Sequence, residues 1–325
     1  MTADTRMSVH LLGVGAINLK FLKNLITVVM LGTWCPVTSY ALDPFVVGSG
    51  GGGQYSWKIQ FAEGSSDLYG FTTSVGLIAP VLGKWQEGLS VATLTRGAGE
   101  SFILRHPSNS TGVDLGSGYF MIAGGDFDGA GKAGVAMAQR SRSGFGITWR
   151  IISDPLNSNA AYTVNGLGGP GDIPFYFRGS EGRDLLSVLR VSGKGLYRQL
   201  LTVDVLSGRR QIVRLSDPVR GVVKVAGIRL SNGAGGVFIQ TFEDYRIYSA
   251  SGEFLVWGNT DNYARGTIAV GDYLSDDGEE VAVLNADTGE VSVLNPFSEN
   301  RRVLRVGSGT GLHDSSTGLV LNGVR

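Results

Sequence analysis

The sequence predicts an all-β chain: a single β-propeller of about six four-stranded blades, within a range of five to seven, preceded by a secretory signal peptide. Three observations carry this. Glycine accounts for 50 of 325 residues, about twice the usual ~7%. The apolar fraction stays at 42% and aromatics at 9%, so the excess marks tight turns between buried strands rather than disorder. Apolar strand–turn–strand segments recur about every 50 residues, and beyond the leader no long window sustains the i, i+3, i+4 period of an amphipathic helix.

The leader comes first. Lys20 and Lys23 precede an apolar run at 25–34, followed by Pro36 and the small residues Ser39 and Ala41. This is the order of an export signal, with cleavage expected after Ala41 and residues 42–325 delivered to the periplasm or the exterior. Trp34 before Cys35 argues against a lipid anchor, which needs a small residue there. No apolar run reaches the length of a membrane span. Cys35 is the sole cysteine, so the mature chain would hold no disulfide and would rest on its core.

The repeats follow. Four segments share an apolar strand, a turn glycine and a second strand opening on an acidic or glycine residue: GGDFDGAGKAGVAM at 124–137, FYFRGSEGRDLLSV at 175–188, AGIRLSNGAGGVFI at 226–239 and VGDYLSDDGEEVAV at 270–283. Their turn glycines, Gly131, Gly182, Gly233 and Gly278, stand 51, 51 and 45 residues apart. Weaker copies lie at 60–71 and 76–94. Hairpin signals at 203–215, 246–258 and 284–295 fill the intervals. The last unit reads as four strands, at 266–274, 280–286, 290–296 and 302–308, which is the content of one propeller blade. Blade limits fall near 45–74, 75–117, 118–166, 167–217, 218–260 and 261–310. The first is short of strands, and 318–321 is expected to complete it and close the ring. Gly-rich elements at 48–50, 116–118, 166–169 and 307–309 read as the re-entry from one blade to the next.

The segment GDFDGAGKAGVAM resembles the FG-GAP (VCBS-type) repeat of integrin alpha-subunit propellers and many secreted bacterial proteins. That resemblance implies an Asp-rich calcium loop, with carboxylates at its first, third, fifth and ninth positions and a carbonyl at the seventh. The third unit supplies Asp126 and Asp128 but has Ala130 and Gly134 at the other two acidic positions. It is either a two-carboxylate site or a metal-free turn. The sixth supplies Asp272, Asp276 and Glu280, with Leu274 at the third position. It is either a structural Ca2+ site, which oxygen ligands suit, or a solvated acidic turn. Arg178 and Arg183 in the fourth unit argue against a cation there.

Formal charge is zero, with 28 basic and 28 acidic residues. Without 1–41, which hold Arg6, Lys20, Lys23 and Asp4, 25 basic and 27 acidic residues remain, a net of −2. Nucleic acid is therefore excluded as an expected partner. His106 and His313 alone cannot build a His-rich metal centre, and no nucleophile elbow or zincin string appears. His106, before Pro107, reads as a surface or turn residue. Binding is thus the leading class, with a propeller-type carbohydrate-active hydrolase or lyase, its acids dispersed over several blades, as the alternative. The segment after Trp257 brings Asn262, Tyr263 and Arg265 together. This mixture of aromatic, amide and guanidinium groups suits a glycan or a protein surface, unless Trp257 simply packs between blades.

Overall fold

In the computed structural model, residues 45–313 are described apart from short connecting segments, among them 61–65, 97–100, 141–145, 260–266, 275–277 and 306–310. The strands run in chain order. β1 (Phe45–Gly51), β2 (Gln54–Gln60) and β3 (Ser66–Thr72) come first, then β4 (Leu77–Gln86), β5 (Gly88–Arg96), β6 (Phe102–His106) and β7 (Asn109–Gly116). β8 (Met121–Gly125), β9 (Gly134–Arg140), β10 (Ile147–Ile152) and β11 (Ala161–Asn165) follow, then β12 (Ile173–Arg178), β13 (Asp184–Ser192), β14 (Leu196–Val203) and β15 (Arg210–Val219). Next are β16 (Val222–Arg229), β17 (Gly235–Thr241), β18 (Asp244–Ser249) and β19 (Phe254–Asn259). The series ends with β20 (Thr267–Gly271), β21 (Glu280–Asn285), β22 (Glu290–Leu294), β23 (Arg301–Arg305) and β24 (Gly311–His313).

Among the described residues these strands make six four-stranded antiparallel sheets, five of them from consecutive strands. The remaining sheet has the order β24-β1-β2-β3, so the last strand pairs with the first: Val46 faces His313 and Gly48 faces Gly311. The leading strands β24, β4, β8, β12, β16 and β20 each neighbour the next, and β20 neighbours β24 again. All lie in one compact unit, Leu42–Arg325. The result is an all-β, propeller-like arrangement. No α-helix occurs among the described residues, and none is long and apolar enough to cross a membrane.

The core follows from the period of two along each strand. In β9, Val135 and Met137 pack toward Trp85, Phe102 and Leu104 of the second sheet, whereas Ala136 and Ala138 pack toward Leu186 and Val188 of the fourth. In β17, Val237 and Ile239 face the fourth sheet's Leu200 and Leu215, and Phe238 faces Val270 and Val281 of the sixth. The second strand of each repeat is therefore apolar at nearly every position, because both of its faces are buried. Trp149, fully buried, donates its indole N–H to the carbonyl of Leu167 at 3.0 Å. It thereby ties the Gly-rich connection after β11 onto its own sheet.

The four repeat glycines all take positive φ, from 77° at Gly131 to 95° at Gly278, which a side chain would resist. Several expectations need correction. Gly48, Ser49 and Gly50 lie inside β1, paired with Trp57, Ser56 and Tyr55, so they form ladder and not a re-entry turn. The strand that joins β1 is 311–313; the segment at 318–321 lies outside the described residues. The weak copy at 60–71 spans the β2–β3 connection, because β24 occupies the leading place in that sheet and shifts every other strand outward. His106 is buried at the end of β6, not on the surface, and burial lowers the pKa of its imidazole.

Candidate functional site

The repeat turns place the predicted metal ligands at sheet junctions. In the third sheet, Asp126 Oδ2 accepts the N–H of Gly131 at 3.1 Å, and the Arg178 guanidinium lies 4.0 Å away. Asp126 Oδ1 is buried without a hydrogen-bond partner. Asp128 Oδ1 accepts the N–H of Ala130 at 3.0 Å, closing a local Asx turn. The backbone of Asp126 meets the fourth sheet in a reciprocal pair. Its N–H donates to Asp184 Oδ2 at 2.7 Å, and its carbonyl accepts the N–H of Asp184 at 2.8 Å. Burial raises the pKa of both acids, that of Asp184 to about 6, although the Asp126 N–H and Arg178 oppose the shift at Asp184.

The same device recurs between the fifth and sixth sheets. The N–H of Arg229 donates to Glu279 Oε2 at 2.8 Å, and the N–H of Glu279 donates to the carbonyl of Arg229 at 2.8 Å. The Arg229 guanidinium pairs with Asp272, whose pKa burial raises against that attraction. Glu280, fully buried, accepts the N–H groups of Tyr273 and Leu274 at 2.7 and 2.9 Å and the Asn295 amide at 3.3 Å. Asp276 lies outside the described residues.

Among the described residues no cluster of three His, Cys, Asp or Glu side chains is placed to hold a metal. A calcium ion takes six to eight oxygens. At the sixth-sheet turn, Asp272 meets the Arg229 guanidinium and Glu280 accepts two backbone N–H groups of its own turn. The third turn offers the unpartnered Asp126 oxygen beside Asp128. Sequence reasoning had noted an acidic or glycine residue opening each second strand but gave no role to Asp184 or Glu279.

The predicted ligand residue Trp257 lies elsewhere, on the outer hairpin of the fifth sheet. It stands opposite Arg246 in the β18–β19 ladder, so both side chains share a face. Asp244 organises this face. Its Oδ1 accepts the Thr241 hydroxyl at 2.6 Å, and its Oδ2 accepts both Arg246 Nε and Trp257 Nε1 at 3.0 Å. Burial opposes its ionisation, yet these three donors hold its pKa below the usual carboxylate range. Arg246 also reaches across to Asp217 Oδ2 of the fourth sheet at 2.5 Å, and the Tyr248 hydroxyl donates to the Asp217 carbonyl at 2.8 Å.

Three apolar side chains stand open at this end of the fifth sheet: Trp257 is 59% exposed, Phe242 75% and Val223 51%. Phe242 tips the β17–β18 turn and lies over Gly221, where a Cβ would meet its ring at 3.2 Å. Asn262, Tyr263 and Arg265 lie outside the described residues. Trp257 is therefore an exposed ring fixed by its own N–H, rather than packing between sheets. Phe242, Asp244, Arg246 and Asp217 were not singled out from sequence. The Thr-Phe-Glu-Asp turn, polar at both ends with one aromatic inside, was the signal for Phe242 and Asp244.

No family model matches this chain, and no curated protein matches it in sequence. Among solved structures it is similar to BBS1N in complex with ARL6DN, at 11% identity and a TM-score of 0.43, covering 75% of this chain and 89% of that one. It is also similar to AztD of Citrobacter koseri, at 12% identity and a TM-score of 0.43, covering 85% and 90%. Apo AztD from the same organism gives 13% identity and a TM-score of 0.40 over 85% and 90%.

Proposed function

We propose that this chain is a non-catalytic binding module: a single closed propeller of six blades, built on FG-GAP-like repeats, exported after removal of residues 1–41. It engages a protein or carbohydrate through a loop-bearing rim. The observation that carries this reading is Trp257, an open indole whose polar edge is consumed by Asp244 at 3.0 Å. An exposed aromatic ring held in one orientation loses little freedom when it is covered, which is what a recognition anchor requires. The acids at the sheet junctions support the same reading, since Asp184, Asp272 and Glu280 are spent on joining strands and turns.

The test is retention of purified residues 42–325 on the immobilised cell-surface fraction of the producing organism, beside the doubly substituted Phe242→Ser, Trp257→Ser protein. Retention of the parent and loss in the variant, at equal thermal midpoints, is the expected result. Equal retention of both, or of neither, would overturn the assignment to this face.

A further inference from the structure

We infer that the outer face of the β18–β19 hairpin, beside Asp217 of the fourth sheet, takes a neutral carbohydrate, one pyranose ring lying on the face of Trp257 with its hydroxyls turned to Asp217 and Arg246. The inference rests on the binding reading above and names its ligand class.

The chemistry of this face narrows the choice. Because Nε1–H of Trp257 is already donated to Asp244, the indole presents outward only ring carbon and its π-face. A partner for such a surface needs weakly positive C–H groups, which the faces of a pyranose supply. Beside the ring stand an exposed carboxylate, Asp217, 57% open, and the guanidinium of Arg246, joined to each other at 2.5 Å. Together they offer both acceptors and donors to hydroxyl groups at fixed positions. Two carboxylates, Asp217 and Asp244, share one guanidinium, Arg246. This triad carries one negative charge in excess next to the ring, which favours a neutral sugar over a phosphate, uronate or sialic acid there.

The open aromatic area has the size that a short glycan covers. With a large aromatic side chain covering 150–250 Å², the open parts of Trp257 and Phe242 amount to roughly 300 Å². That is the scale of a functional patch on a monomer. Phe242, standing above Gly221, would supply a second stacking position along the same rim.

Two measurements decide the matter. In the first, the cell-surface fraction used for retention is divided and treated either with periodate, which cleaves vicinal diols, or with protease. Retention that survives protease, is lost after periodate and is absent from Trp257→Ala supports the carbohydrate. Trp257-dependent retention that survives periodate but not protease would overturn it while leaving the binding reading intact. Absence of any Trp257-dependent retention would remove both.

In the second, calorimetric titrations use cellopentaose, maltopentaose, mannopentaose, chitopentaose and, as the anionic comparison, pentagalacturonate. At least one neutral oligosaccharide is expected to bind. Its affinity should fall about tenfold or more in Trp257→Ala, as the loss of one aromatic stacking contact implies, and be partly kept in Trp257→Phe, which retains a ring without the indole N–H. Asp217→Asn should weaken it less. Tighter binding of pentagalacturonate than of every neutral probe would overturn the assignment to neutral sugars, as would equal affinity of Trp257→Ala and the parent.

Discussion

Asp184→Asn isolates the reciprocal pair that joins the third and fourth sheets. The buried carboxyl accepts the Asp126 N–H at 2.7 Å and titrates at about 6 rather than 3.8, chiefly because burial disfavours its charge. A rise of about two units corresponds to about 3 kcal/mol between the protonated and ionised forms. The sign follows from proton binding. The folded chain holds this proton more tightly than the unfolded chain, so the contribution is fully present below pH 3.8. It is lost as pH rises through about 6, beyond which it stays constant. Asparagine keeps an oxygen for the Asp126 N–H and removes the charge. Relative to the parent, the variant should therefore gain about 3 kcal/mol between about pH 3.5 and about pH 8, with its own acceptor bond preserved. Urea unfolding of both proteins at half-unit pH intervals, with m-values compared to confirm a common transition, reads the difference directly. Parallel stability curves across that range would refute the argument that an ionisable group with a raised pKa sits at this junction.

Other outcomes follow from the same structure. Asp272→Ala should lower the thermal midpoint by the same amount in millimolar calcium and in chelator, because Asp272 serves Arg229 across a sheet junction. A calcium-dependent stabilisation that vanishes in this variant would instead show a metal held by that acid. Ending the chain at Thr310 removes β24, the strand between β20 and β4. The shortened protein should lose cooperative unfolding and aggregate, and a peptide of residues 306–325 should restore the midpoint; unchanged melting would show that the ring does not depend on this strand. Trp149→Phe keeps most of the core contact but strands the Leu167 carbonyl. A loss of about 1–3 kcal/mol in urea unfolding is expected, the cost of a buried acceptor left unpaired.

The fold was largely legible because its cause is repetitive. A strand buried on both faces must be apolar almost throughout, and β9, β13, β17 and β21 each follow a glycine with positive φ. That combination repeats along the sequence and sets the sheet limits to within a few residues. The closing strand was not legible at its true position. Gly311–His313 is three residues long and bears no strand pattern of its own; it is fixed by the vacant leading place beside β1. The candidate site divides in the same way. Trp257 could be singled out as one aromatic in a polar setting, but its exposure depends on Asp244 reaching its indole nitrogen across the β18–β19 ladder. Asp217 arrives from another sheet, through a contact 29 residues away in sequence.

The acids show why residue type alone leaves two uses open. A carboxylate in a repeat turn can bind a cation or accept backbone N–H groups, and both uses call for the same side chain at nearly the same place. What separates them is the company that the fold supplies. Asp272 meets a guanidinium from the preceding sheet, Glu280 meets two N–H groups of its own turn, and Asp184 meets the N–H at the end of β8. Asp184 and Glu280 accept backbone N–H groups that would otherwise be buried unpaired, at about 1–3 kcal/mol apiece, whereas Asp272 neutralises a partly exposed guanidinium. Two of the three reach across a sheet junction, so those acids hold sheets together where the glycine-rich connections contribute few side-chain contacts. Asp244 performs a related task one layer outward: by saturating Thr241, Arg246 and Trp257 at once, it turns an edge strand into a rigid mount. A ring fixed in this way can remain exposed without folding back onto the sheet, and the proposed recognition at the rim depends on that.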